Sequence, residues 1–372
     1  MQPILRTDSN ETTFFSEKEM PLKNDAIITS QMSKECKTAE EAVDFLILNR
    51  AKVANLTFFL DLQDEDLSRL IRGCPDLTHL WIQGPYLSHF PLSEIRLLKE
   101  LTSLSIVDCE TQELSFHRLD KLEFIQLTDL TQLTSISLPT NLKSFVLIRA
   151  TSLKRIALKN MFSIADVHIE SCIILRNVDI EACPSLRRIV VNNCACKIVI
   201  PKESVKIEML ELNSINQSLS LPRLTNLFLR ESSVFPNAPN LHELKYEHCK
   251  STFPLPHTVR ICEMISGICL PQFNPQLSLS ILTLSSMYVK IVELPDLPHL
   301  TQFHAKSGML ASIIFSSTPS LKVIDLDVMY ELEHLTLPTD SSNITFISIH
   351  FCAKLNEIIN RERYPGKVLI HP

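Results

Sequence analysis

A nine-residue pattern, Leu-x-x-Leu-x-Leu-x-x-Cys or another small residue, returns every 17 to 24 residues between Leu77 and Ile344. Clear copies run from Leu101 to Cys109, from Leu186 through Val191 to Cys194, from Leu241 through Tyr246 to Cys249, and from Ile344 through Ile349 to Cys352. Copies start at Leu77, Leu101, Leu122, Leu142, Ile164, Leu186, Ile207, Leu224, Leu241, Val259, Leu279, Leu300, Leu321 and Ile344. One copy arises easily by chance, whereas self-similarity kept in register over most of a chain is the signature of a repeat array. Such an array grows by stacking each unit on the last. One elongated unit of 372 residues is therefore expected, not the two or three globular domains that length alone would imply.

A second, shorter apolar motif often follows about half a repeat later, as in Leu133-Thr-Ser-Ile136-Ser-Leu138, Leu153-Lys-Arg-Ile156-Ala-Leu158 and Leu175-Arg-Asn-Val178-Asp-Ile180. Its last residues alternate apolar and polar, which is strand and not helix spacing, so the return arm of each repeat is expected to be extended. Between Ile207 and Cys262 the period shortens and Leu221-Pro222, Phe235-Pro236 and Leu255-Pro256 enter. Proline gives no N–H to a ladder and suits return arms with few hydrogen bonds. The pattern is weakest between Met264 and Leu279, where a loop or register break is expected.

Residues 1–34 are polar and without apolar period, which predicts a mobile tail. Thr38-Ala-Glu-Glu41 has the form of a capping box ahead of Val43, Phe45, Leu46 and Leu48, so residues 35–76 are expected to form a helical N-terminal cap and first repeat. Leu67, Leu70 and Ile71 share a second helical face, with Gly73 placed to take a positive φ at the helix end and Pro75 to stop it. Residues 77–353 form the solenoid proper and 354–372 a C-terminal cap.

The repeat consensus resembles the leucine-rich repeat family. Cys74-Pro75-Asp76-Leu77 and Cys183-Pro184-Ser185-Leu186 resemble the cysteine-containing repeats of F-box substrate receptors, and the Leu-Pro copies resemble those of bacterial effector ligases. The resemblance implies a leucine-rich-repeat solenoid, α/β horseshoe-like but strand-rich, with about fourteen repeats and a short helical cap. It also implies a non-enzymatic scaffold that binds another protein on its parallel-sheet face, with a bacterial effector in a host cytosol as one setting. A substrate-recognition subunit bound to a ubiquitin-ligase component is the alternative. The chain departs from both groups: residues 36–50 lack the leucine-proline opening of an F-box, and nothing after residue 353 is long enough for the ligases' helical domain.

Composition narrows the chemistry. A net charge of −6 with both signs mixed through most repeats gives no nucleic-acid footprint. No apolar run reaches the length of a membrane span, and the first ten residues lack signal-peptide order, so a cytoplasmic chain is expected. Five of the 11 cysteines (Cys109, Cys172, Cys194, Cys249, Cys352) occupy the ninth repeat position, where buried free thiols are expected. Cys74-Pro-Asp76 matches the Cys-x-Asp thioester motif of the effector ligases, but its place at a repeat turn gives it a structural role. Cys194-Ala-Cys196 is a single close pair, and the 12 histidines show no ligand spacing, so no metal or other cofactor is expected. With 5 glycines there is no phosphate loop and no nucleophile elbow, and no enzyme is expected.

Function then falls to the outward side chains of the sheet. In the central repeats the candidate partner-binding residues are His168, Glu170, Arg188, Asn192, Glu211, Asn213, Phe228, Arg230, Lys245 and Glu247. Neighbouring strands lie about 4.8 Å apart, so such residues form a grid readable across several repeats. Phe228 and Arg230 are of the types that dominate interface energetics.

Overall fold

The structure is a computed structural model and describes residues 32, 35–59, 61–85, 87, 90–194, 196–200, 207–213, 220–231, 235–248, 252–274 and 276–371. The expected N-terminal tail lies, apart from Met32, outside the described residues, as does Cys249.

Each of the fourteen repeat starts stands two residues before a strand of one 16-stranded, all-parallel sheet. The alternation of the motif sets the faces. In Asp166–Glu170 the side chains of Val167 and Ile169 point into the core while Asp166, His168 and Glu170 point out, and the pattern repeats in Asn226–Arg230 and Val323–Asp327. Consecutive strands pair without slip, from Val53 opposite His79 to His350 opposite His371. A shift of one residue would turn every inward Leu or Ile to solvent, so the buried face fixes the register.

The α/β horseshoe of a leucine-rich repeat is not what forms. Among the described residues there are three α-helices, all before residue 96: α1 (Ala39–Leu48), α2 (Asp64–Gly73) and the single turn α3 (Leu92–Ile95). Where a horseshoe would place helices, the return arms here are strands. They make a two-stranded sheet (Glu113–Ser115, Ser135–Ser137), a three-stranded sheet (Arg155–Lys159, Asn177–Glu181, Lys197–Val199) and a four-stranded sheet (Ile291–Leu294, Ser312–Phe315, His334–Thr336, Glu357–Ile359). The molecule is a parallel β-solenoid. The physical reason lies in the second motif: Ile156 and Leu158 are buried while Arg155, Ala157 and Lys159 are exposed, a period of two that no helix can serve.

The corner that leaves the main sheet is made the same way in turn after turn. The residue following the strand takes the left-handed conformation, with φ between 50° and 59° at Asp108, Asp129, Arg149, Ser171, Asn193, Glu231, His248, Ser266, Ser286, Ser307, Val328 and Phe351. Its N–H carries the ladder one step past the strand: Asp108 N donates to Thr128 O (3.0 Å), Ser286 N to Lys306 O (2.8 Å) and Phe351 N to His371 O (3.1 Å). Left-handed backbone costs a non-glycine residue about 1–2 kcal/mol, and stacking of the corners offsets it. The next residue turns inward, at Cys109, Cys172, Cys194, Met287 and Met329, all of them buried.

Among the described residues of the Leu-Pro region the return arm keeps only isolated bridges, Ser220 with Asn237 and Pro254 with Gln272. Of the loop or register break expected between Met264 and Leu279, the register holds, Ile261–Ile265 pairing residue for residue with Ile281–Ser285, while the described residues between them are irregular apart from the bridge at Gln272. Pro271 belongs to the return side, where the ladder asks for few N–H donors and proline has none to give, and Pro275 lies outside the described residues.

At the N-terminal end Thr38 caps α1, its hydroxyl accepting from Glu41 N at 3.2 Å. Val43 and Leu46 face the core, whereas Leu48, expected beside them, is 84% exposed. Arg69 of α2 reaches Asp44 and lies 3.5 Å from Glu40, tying the two helices. Gly73 does not take a positive φ as expected. It is required because a Cβ there would stand 2.6 Å from Ile47 Cγ1.

Candidate functional site

The sheet assembles the ten sequence-derived residues into one patch on five adjacent strands. Across it runs the central row His168, Val190, Glu211, Phe228, Lys245 and, beside it, the row Glu170, Asn192, Asn213, Arg230, Glu247. Arg188 stands in the third row between Asp166 and Met209. The side chain of Asn213 lies outside the described residues.

These groups are cross-linked along the rungs. Asn192 Nδ2 donates to Glu211 Oε1 at 2.7 Å, Arg230 Nε to Glu247 Oε2 at 2.9 Å, and Lys245 Nζ lies 3.2 Å from Glu263 Oε2. Phe228, half-buried, carries two cations over its ring, Lys245 Nζ at 5.5 Å and Arg230 Cζ at 5.9 Å from the centroid. A cation so placed gains about 0.5–1 kcal/mol at an exposed site. The ring and the two basic groups thereby hold each other in place.

Electrostatics differ along the patch. His168 Nε2 lies 3.1 Å from Glu170 Oε2, and that hydrogen bond holds the Glu170 carboxyl below its usual range despite partial burial. Asp166 is pushed up by burial, against the opposing pull of Arg188 and Arg187.

Cysteine chemistry has little access. Cys74, the candidate thioester residue, is 3% exposed, donates to Leu46 O at 3.6 Å, and burial pushes its thiol up. Cys172 and Cys194 stack on successive turns, Cys172 N donating to Cys194 Sγ at 3.3 Å. The hydrogen bond from Cys194 holds the Cys172 thiol low and raises that of Cys194, but Cys172 is 0% exposed and no substrate reaches it. Burial drives Cys196 up to about 12. Among the described residues no group of three or more His, Cys, Asp and Glu side chains is arranged to hold a metal ion, and no helix is long and apolar enough to cross a membrane.

One surface was missed at the sequence level. Ile268, Tyr288, Met309 and Tyr330 each stand two residues past the left-handed corner of consecutive turns and are 51–60% exposed; Phe351, at the next corner, is 55% exposed. The same position holds Glu110, Thr131 and Thr151 near the N-terminal end. The signal was an apolar residue at the same offset from four consecutive strands, visible only once the corner is known.

No family model matches the chain, and no curated protein matches it. The leucine-rich-repeat assignment is therefore without support from sequence as well as from topology. Among solved structures, the functional domain of InlJ from Listeria monocytogenes, described as including a cysteine ladder, is similar at 12% identity with a TM-score of 0.30. That likeness covers 84% of this chain and 74% of that one, and at this level it carries no argument about fold or function.

Proposed function

We propose that this chain is a non-enzymatic scaffold that binds a protein partner through the outward face of its main sheet, in a reducing, cytoplasmic setting. A solenoid built from repeats is consistent with an interaction scaffold in general, because its grid of side chains grows with each turn and can be varied without disturbing the core. The observation that carries the finer reading is Phe228: an aromatic ring held between Arg230 and Lys245 and bordered by Glu211 and Glu247. An aromatic and an arginine already fixed in place lose little freedom on binding, which favours them as anchors. The buried thiols suit a compartment that keeps cysteines reduced. The effector and ubiquitin-ligase roles were drawn from the leucine-rich-repeat resemblance and lapse with it.

The test is affinity capture with mass spectrometry on wild type and on the Phe228→Ala/Arg230→Glu double variant. Both positions point outward, so the variant is expected to keep its fold and to lose the principal partner by about ten-fold or more. Retention of every partner at wild-type levels would remove function from this face.

A further inference from the structure

Ile268, Tyr288, Met309 and Tyr330 form an apolar row at one position of four consecutive turns, and Phe351, at the left-handed position of the next turn, carries exposed apolar surface one step further. Its members sit on stacked backbones: Tyr288 N donates to Gly267 O at 2.9 Å and Met309 N to Met287 O at 2.8 Å. Gly308 packs so closely on the turn below that a Cβ would stand 3.1 Å from Met287 O. With about 4.8 Å per turn the ridge runs roughly 19 Å. Large exposed apolar side chains in a line, rich in Tyr, Met and Phe, have the composition of an interface.

The charges on the two flanking sheets define what it would accept. Lys306 is taken up by Asp327 at 3.3 Å and Lys354 by Glu331 at 2.8 Å. That leaves Glu293, Asp325, Glu333 and Glu357 against Lys290, with His304 beside Asp325 and His334 beside Glu333 and Glu357. An acidic border around an apolar line disfavours a second copy of the same ridge, which would bring like charges together, and it disfavours an anionic lipid surface. A ridge one side chain wide also falls short of the roughly 800 Å² per partner that a stable dimer buries.

We infer that this corner is a second docking surface, separate from the central sheet face, and that its occupant is a basic amphipathic helical segment of a partner protein. A helix of about four turns spans the same length, and its apolar stripe recurs about every 5.4 Å, close to the rise of the solenoid. Lysines or arginines on both sides of that stripe would meet the carboxylates.

The experiment uses two labelled helical peptides of about four turns, one built of leucine and lysine, the other of leucine and glutamate. Fluorescence anisotropy compares wild type with Tyr288→Ser/Tyr330→Ser and with Phe228→Ala/Arg230→Glu. The expected result is that the lysine peptide binds wild type and the Phe228/Arg230 variant alike, loses about ten-fold on the two-tyrosine variant, and that the glutamate peptide does not bind. Equal binding by the two-tyrosine variant, loss on the Phe228/Arg230 variant, or no binding by wild type would overturn the inference. So would a wild-type dimer in sedimentation, or adsorption to phosphatidylserine vesicles, that the tyrosine substitutions abolish. Because the central-face variant is carried in parallel, failure of the ridge and failure of the sheet-face reading are separable.

Discussion

A solenoid corner asks one residue per turn to adopt φ near +55°, and this chain answers with Asn, Asp, Ser and even β-branched or aromatic residues in place of glycine. Asn and Asp tolerate that region through local hydrogen bonds, whereas Val is the least suited to it. Val328, at φ 59°, is therefore a point of stored strain. Val328→Asn is expected to raise stability by about 1 kcal/mol, read as a shift of the urea midpoint at unchanged slope; a fall in midpoint would show that the valine side chain contributes more by packing than it loses in backbone. The inward residue after the corner makes a second prediction. Burial pushes the Cys109 thiol up to about 11, so the folded state holds that proton more tightly than the unfolded chain, whose thiol titrates near 9. Its share of stability is present below pH 9 and is lost as pH climbs through about 11. Iodoacetamide at pH 7.5 should label Cys109 only after denaturation, and native labelling at the unfolded rate would show that the corner opens.

Strands on both sides of each turn are what distinguish this element plan from a helix-backed one. Ile156, 1% exposed in Arg155–Lys159, lies in a strand that is laddered on one side only, to Asn177–Glu181, where Val178 stands opposite it. Truncation to Ala should cost about 2–5 kcal/mol and lower amide protection first in those two strands, as hydrogen exchange would show; uniform loss over the whole chain would mean that the return arm does not open on its own. Much of this layer was legible in the sequence. The alternation Val167, Ile169 and Val178, Ile180 gave the inward faces and the strand positions, and the x positions between them gave the outward patch around Phe228. The feature that decides the class was legible too, in the period-two return motif such as Leu153-Lys-Arg-Ile156-Ala-Leu158, but the strand half of the motif is common to any parallel solenoid and carried the resemblance to a helix-backed family instead. The ridge from Ile268 to Phe351 was hidden for a related reason: its offset is set by a left-handed corner that has no glycine to announce it, and the stretch from Met264 to Leu279 looked irregular although its strands pair without a break.

At the scale of the whole molecule each turn touches only the turns before and after it, and the array behaves as a one-dimensional stack whose stability is a sum of turns and interfaces. The main-sheet ladder makes the unit of that sum visible: Thr301 N donates to Ser280 O at 2.8 Å and Lys322 N to Thr301 O at 2.9 Å, so residues 302–322 advance the chain by one complete turn. Removing them joins Thr301 to Val323, which already stands opposite Gln302 in the sheet. The shortened chain should fold, with the strand signal per residue in circular dichroism unchanged and a single cooperative melt, because Ile281–Ser285 receives Val323–Asp327 in the register that Gln302–Lys306 had. Removing 302–311 instead joins Thr301 to Ser312 and brings a return strand to the place of a main-sheet strand. Both ends of the array then lose their shared register, and the prediction is loss of the cooperative transition and exposure of the core to a hydrophobic dye. If the two deletions behave alike, whether both fold or both fail, the turn is not the unit of stability and the stack must be held together by longer-range coupling along its length.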